Sequence, residues 1–132
     1  MNKLISMTML LATLSGGQAL AAEWAPIKMD DNTVREVDTG SVARKGPVIT
    51  FAARHTFANP DEYKVSRSKV KYLLIFNRVN CDARTLAQLS TEAHDEQMAL
   101  LSKQQILLPQ DLPVTRDSID EAMLNFICKN RK

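Results

Sequence analysis

The sequence predicts an α+β fold: a mainly antiparallel β-sheet with a C-terminal α-helix packed on one face and tied there by a disulfide. Three observations carry this. Apolar residues alternate through several segments between Trp24 and Cys81, which is the period of strands. The last segment, "TRDSIDEAMLNFICKNRK", places apolar residues at helical spacing instead. The chain has 2 cysteines. Cys81 ends the strongest strand and Cys128 lies in the helical segment, so one bond between them would join sheet to helix.

The first 21 residues read as a secretory signal peptide. Lys3 is a short basic start, residues 4–14 are apolar, and Ala19-Leu20-Ala21 supplies the small-residue cleavage pattern, with cleavage after Ala21. The apolar run is shorter than the roughly 20 residues that span a bilayer. No cysteine stands near the cleavage point to carry a lipid. Residues 22–132 then form a single domain of about 110 residues with room for one core. Formal charge is +2 for the whole chain, and the leader's Lys3 is part of it. A near-balanced chain gives no case for a nucleic-acid partner. Export also decides how the thiols read. In an oxidising compartment an even number of cysteines implies disulfides, and one pairing exists here, Cys81 with Cys128.

Each element follows in order. "EWAPIKMD", with Trp24 and Ile27 around Pro26, predicts a short first strand at a sheet edge, since proline cannot donate to a ladder. "NTVREVDTGSVARKG" continues with Val34 and Val37. Its Asp38 and Ser41 predict a side-chain-to-backbone turn before Gly46. "PVITFAARHTF" alternates Ile49, Phe51, Ala53 and Phe57. "SKVKYLLIFNRVNCD" sets Leu73, Ile75, Val79 and Cys81 on one face and Val70, Tyr72, Leu74 and Phe76 on the other. Apolar residues on both faces predict a central strand covered on each side over its middle. "ARTLAQLSTEA" and "QMALLSKQQILL" flank the polar "HDE" and are read as a hairpin, with a helix over residues 89–104 left open by propensity. In the final segment Ser118 and Glu121 form a capping box, with Asp117 and Asp120 at the positive end of the helix dipole. Ile119, Met123, Phe126 and Ile127 form its stripe, and Lys129, Arg131 and Lys132 stand at its negative end.

On these residues the chain resembles the surface-adhesin protein E family of bacterial exported proteins. A tryptophan follows the leader, in "AEWAPI". An Asp-x-x-Ser step precedes a glycine and a strand, in "VDTGSVARKGPVITF", with Asp38, Ser41, Gly46 and Phe51. A strand led by serine and lysine ends at Cys81, and "LPVTRDSIDEAMLNFIC" brings Pro113, Ser118 and Cys128. The resemblance covers nearly all of residues 22–132. It implies a sheet with its C-terminal helix fixed by the disulfide, and a binding role that includes attachment to host extracellular proteins. The proline-glycine-serine step common before the family's helix is here "PVTRDS", without the glycine. No ligand-contacting motif of the family is matched.

The expected function is therefore a non-enzymatic, exported binding module in the periplasm or at the cell surface, with a partner protein such as a host extracellular matrix protein and no cofactor. The alternatives are a periplasmic accessory or inhibitor protein, and a carrier of a small ligand such as haem. One charged cluster is the candidate binding patch: Lys64, Arg67, Lys69 and Lys71, with Tyr63 and Tyr72 nearby, suited to an acidic partner or a sulfated glycan. His55 reads as a partly buried strand residue and His94 as part of a solvated hairpin turn. Their spacing matches no zinc pattern. The adjacent pairs Asp30/Asp31 and Asp61/Glu62 read as solvated turns, since neighbours in a turn do not face each other across a substrate.

Overall fold

The computed structural model describes residues 22–28, 34–59 and 61–129. The expected leader, Asp30/Asp31, Arg131 and Lys132 lie outside the described residues.

The strands are β1 (Trp24–Lys28), β2 (Val34–Lys45), β3 (Val48–Thr56), β4 (Lys64–Val65), β5 (Ser68–Lys69), β6 (Tyr72–Asn80), β7 (Thr85–His94), β8 (Leu100–Gln105) and β9 (Leu112–Pro113). One helix, α1 (Ile119–Lys129), follows. The main sheet runs β1-β2-β3-β6-β7-β8, every pairing antiparallel, and β9 extends it by pairing with β7. β1 holds one edge, as Pro26 demands, and β6 is central. The segment around "HDE" is the hairpin of β7 and β8, not a helix. β4 and β5 form a separate small hairpin.

Alternation puts Val37 of β2, Ile49, Phe51 and Ala53 of β3, and Val79 and Cys81 of the β6 segment into one core with α1. Met123, Leu124 and Ile127 enter it from the helix, while Ile119 and Phe126 pack at its margin. The buried stripe is thus centred on Leu124, a position that helical spacing alone places at the edge. Cys81 and Cys128 are bonded, with Cα atoms 5.7 Å apart and a sequence separation of 47. The helix covers one face of β6 only. On the other face Tyr72, Leu74 and Phe76 are half-buried among their sheet neighbours, which corrects the expectation of cover on both sides.

Register shifts in β2 against β3, in β7 against β6 and between Ala93 and His94 against β8 shape the sheet. Between Asp38 and Ala43 the register of β2 against β3 slips. The Gly40 N–H donates to Asp38 Oδ1 at 3.0 Å, and Ser41 Oγ donates to the Asp38 carbonyl at 2.7 Å. Ser41 Oγ also accepts from the Ala52 N–H at 2.8 Å. The hydroxyl thereby replaces a ladder carbonyl, and the expected side-chain-to-backbone turn forms as a bulge within β2. The true reversal is at Gly46, whose φ of +63° favours glycine. In β7 a second bulge leaves Leu89 out of register between Gln88 and Ser90.

One half of the capping box forms as expected, and the return bond is displaced by one residue. The Glu121 N–H donates to Ser118 Oγ at 3.2 Å, and Glu121 Oε1 accepts from the Asp117 N–H at 3.2 Å. Asp117 takes φ +59°, so the chain kinks into the helix there.

Candidate functional site

After β8 the chain reads "ILLPQDLPV". Pro109 lacks the N–H that a further ladder bond requires, so the strand cannot continue through it. The loop swings off the sheet and returns as β9. It carries Leu107, Leu108 and Leu112 outward, 88%, 86% and 58% exposed. Leu107 and Leu108 each leave most of the roughly 1.5–3 kcal/mol of full burial unrealised, and Leu112 leaves about half. Contiguous exposed apolar surface of this kind marks interaction sites.

The loop is held at both ends. The Ile106 N–H donates to the Leu89 carbonyl at 2.9 Å, and the Val114 N–H to the Arg84 carbonyl at 3.2 Å. Arg78 binds Asp111 through two bonds, Nε to Oδ1 at 3.1 Å and Nη2 to Oδ2 at 3.0 Å. Such a fork fixes orientation as well as proximity. Arg84 Nη2 reaches Asn125 Oδ1 at 3.1 Å and Glu121 Oε2 at 3.4 Å, linking the β6–β7 turn to α1.

Between this loop, β7 and the start of α1 lies a cleft of about 480 Å³. Leu86, Ile106, Leu108, Leu112, Pro113 and Val114 supply its apolar wall. Gln88, Gln110, Thr115 and Asp120 supply the polar groups. The cleft is a preformed concavity with exposed leucines on its lip.

The charged cluster proposed from the sequence is elsewhere. Lys64 and Lys69 stand across from each other in the β4–β5 hairpin, whose turn holds Ser66 and Arg67 at φ +48° and +71°. The cations are largely engaged. Asp61 accepts from Lys64 at 3.2 Å and from Lys69 at 3.5 Å, and Lys71 Nζ donates to the Phe57 carbonyl at 3.2 Å. The hydrogen bond from Lys64, then the charges of Lys69 and Lys64, hold the Asp61 carboxyl below its usual range. Arg67 has no polar partner among the described residues. Tyr63 stacks on Phe57, with centroids 5.6 Å apart. Tyr72 is not part of this patch. It flanks Arg54, whose guanidinium lies 4.3 Å from the Trp24 ring and 5.3 Å from the Tyr72 ring, and Glu36 accepts from Arg54 Nε at 2.8 Å.

The histidines differ. His55 meets Phe57 edge to face at 4.6 Å. Burial, then the Arg35 charge, push its pKa down, while Glu62 opposes. His55 Nδ1 and the neighbouring Arg35 Nε are both buried without a hydrogen-bond partner. His94 is not solvated: its side chain is 12% exposed and clasps the β7–β8 hairpin. Nδ1 lies 3.1 Å from the Met98 carbonyl and Nε2 lies 3.2 Å from Glu92 Oε2. Lys103 Nζ binds the other Glu92 oxygen at 3.1 Å. Burial works against the Glu92 charge, but the hydrogen bonds from Lys103 and His94 and their charges outweigh it, so its pKa is lowered.

Sequence reading missed the leucine loop. The signal was present in Ile106, Leu107, Leu108 and Pro109, an unbroken apolar run closed by a proline that no ladder accepts.

No curated protein sequence matches this chain. Solved structures do. Protein E of Haemophilus influenzae superposes with a TM-score of 0.64 at 16% identity, over 89% of this chain and 92% of that one. A crystal structure of protein E from non-typeable Haemophilus influenzae gives 0.60 at 17%, over 80% and 76%. A second crystal form of Haemophilus influenzae protein E gives 0.59 at 15%, over 84% and 98%. These likenesses fix the fold. The family model described as surface-adhesin protein E matches residues 24–129. The chain therefore belongs to the surface-adhesin protein E family.

Proposed function

We propose that this protein is an exported, non-catalytic adhesin module that binds an extracellular host protein through the surface of Leu107, Leu108 and Leu112. One observation carries the assignment of the surface: three leucines stand more than half exposed on a loop tied down at both ends. An untethered loop would collapse its leucines onto the sheet, whereas this one presents them. Membership of an adhesin family supports a binding role rather than turnover. The β4–β5 hairpin offers mainly Arg67, since Lys64 and Lys69 already pair with Asp61. It is the secondary surface of this reading.

The test uses immobilised host extracellular matrix proteins and biolayer interferometry. The native protein is expected to bind at least one of them, and the double variant Leu107→Ser/Leu108→Ser is expected to lose about tenfold or more in affinity, the scale of a buried apolar anchor. Unchanged affinity in the double variant, with loss on Lys69→Glu/Lys71→Glu, would move the site to the hairpin. The exported location is tested by trypsin on intact cells. Release of the peptide spanning residues 104–116 supports surface display. Release only after the outer membrane is opened would support the accessory role.

A further inference from the structure

The cleft beside the leucine loop has a chemistry narrower than apolarity, and its use as a site rests on the function proposed above for that loop. Its volume of about 480 Å³ suits a ligand cleft, which spans roughly 300–1,000 Å³. Among the described residues one ionisable side chain lines it, Asp120, half-buried in the first turn of α1. Arg35 feels the Asp120 charge, but no hydrogen bond or ion pair joins them among the described residues. The Asp120 carboxylate thus keeps its acceptor capacity in the lining of the cleft.

The backbone adds a second feature. The β7–β8 ladder ends at Ser90, and the β7–β9 ladder begins at Leu86. Residues 87–89 of β7 have no strand partner on that side, save the Leu89 carbonyl that accepts from Ile106. Gln88, in this gap, lines the cleft. The gap is an open stretch of edge, to which an extended segment can add main-chain hydrogen bonds.

We propose that the cleft is a socket for an apolar side chain and, two positions on and therefore on the same face, a basic residue, in an extended segment of the partner protein. The apolar side chain packs against Leu86, Ile106 and Val114. The segment's backbone runs along Gln88. The basic group meets Asp120, so charge complementarity selects the segment as much as shape does.

The experiment is amide NMR of the isotope-labelled full domain, titrated with the blocked hexapeptide Gly-Phe-Ser-Arg-Ser-Gly. Amides of Gln88, Ile106 and Val114 are expected to shift, with a dissociation constant on the order of 1 mM. Replacing the peptide's Phe by Ala should weaken binding about tenfold or more, the scale of one buried aromatic side chain. Replacing its Arg by Glu should weaken it about threefold or more, the scale of a single exposed charge pair. Asp120→Asn should erase that second difference, and Gln88→Trp, at an exposed position, should block the cleft with the fold intact by circular dichroism. Unmoved amides at about 10 mM peptide overturn the proposal, since that is tenfold above the expected constant. So does an Arg-over-Glu preference that survives Asp120→Asn. Shifts produced by dodecanoate and not by the peptide would make the cleft a site for aliphatic ligands and also overturn it. If Leu107→Ser/Leu108→Ser abolishes partner capture while the peptides do nothing, the contact surface stands and the socket fails. Peptide binding alongside leucine-independent capture would leave the socket and sink the contact surface.

Discussion

Leu124 and Leu108 carry the same side chain in opposite surroundings. Leu124 is fully buried between α1 and the sheet, and Leu108 is 86% exposed on the loop after β8. The difference is not one of order, because both are held. Leu124 is held by packing within the core. Leu108 is held by the backbone around it, through Ile106, Val114 and the Arg78–Asp111 fork. The first arrangement gains its free energy within the chain. The second keeps apolar surface in water, and on the function proposed above a partner would cover it. The charged hairpin is a third case: its Lys64 and Lys69 share the one Asp61 carboxylate at an exposed site.

The strongest way to break the buried region is to cut its covalent tie. The double variant Cys81→Ser/Cys128→Ser opens a loop of 47 residues and is expected to lose about 4 kcal/mol of stability in the chain-entropy model. Chemical denaturation measures it. A loss under about 1 kcal/mol would mean that packing alone fixes the helix.

The same chemistry at the two leucines separates them next. Leu124→Ala should cost about 2–5 kcal/mol, combining lost burial with the cavity left behind. Leu108→Ala should stay within about 0.5 kcal/mol, as surface substitutions do. Urea midpoints of the two variants give the comparison directly. Equal losses would show that Leu108 is part of the core, and the reading of the loop as a contact surface would fall.

Much of the buried region was legible in the sequence. Alternation named the faces of β3 and β6, and the two cysteines in an exported chain had one pairing. The helix was marked by Ser118 and Glu121. What escaped detection depends on neighbours in space. Ser41 reads as a turn residue and makes that turn with the Asp38 carbonyl, but that it also accepts from the Ala52 N–H, which seats the turn as a bulge inside β2, depends on the neighbouring strand. His94 lies among acidic residues in sequence, which suggested solvent, yet the Met98 carbonyl and Glu92 enclose it. The sequence groups the lysines, but that Lys64 and Lys69 share Asp61, three and eight positions away, is visible only once the hairpin forms. The loop escaped for a related reason. An apolar run reads as a strand meeting a core, and periodicity carries no information on whether the core is there.

A pH experiment sharpens the buried region further. The His55 pKa is lowered in the fold by burial and by the Arg35 charge. The folded state therefore binds the proton less well than the unfolded chain. The stability tied to neutral His55 is complete above its ordinary value of about 6.5 and is lost as pH falls below it. Glu92 is also lowered, but as a carboxylate. Its contribution persists above its ordinary value of 4.5 and is lost as pH falls further. Between pH 7.5 and 5.5 the His55→Gln variant should lose less stability than the native protein. An unchanged loss would assign the acid response in this window to other groups.

The smallest expected effect on stability tests why the exposed leucines stay presented. The Arg78–Asp111 fork is partly exposed, 32% and 47% by side chain, so Asp111→Asn should cost less than about 1 kcal/mol. Its effect on the loop should be larger than its effect on the fold. With the fork weakened, the segment between Ile106 and β9 gains conformations that turn Leu107 and Leu108 back toward the sheet. Binding then has to restore the presented state, which weakens affinity without removing a single contact. The expected result is faster amide exchange at Leu107 and Leu108, unchanged exchange at Met123 and Leu124, and a partner affinity reduced about threefold. Faster exchange with unchanged affinity would show that the leucines bind equally well from a loose loop, and the tethers would then serve the fold alone. Unchanged exchange would place the rigidity in the two backbone bonds and in Pro109, where proline removes the freedom before any side chain acts.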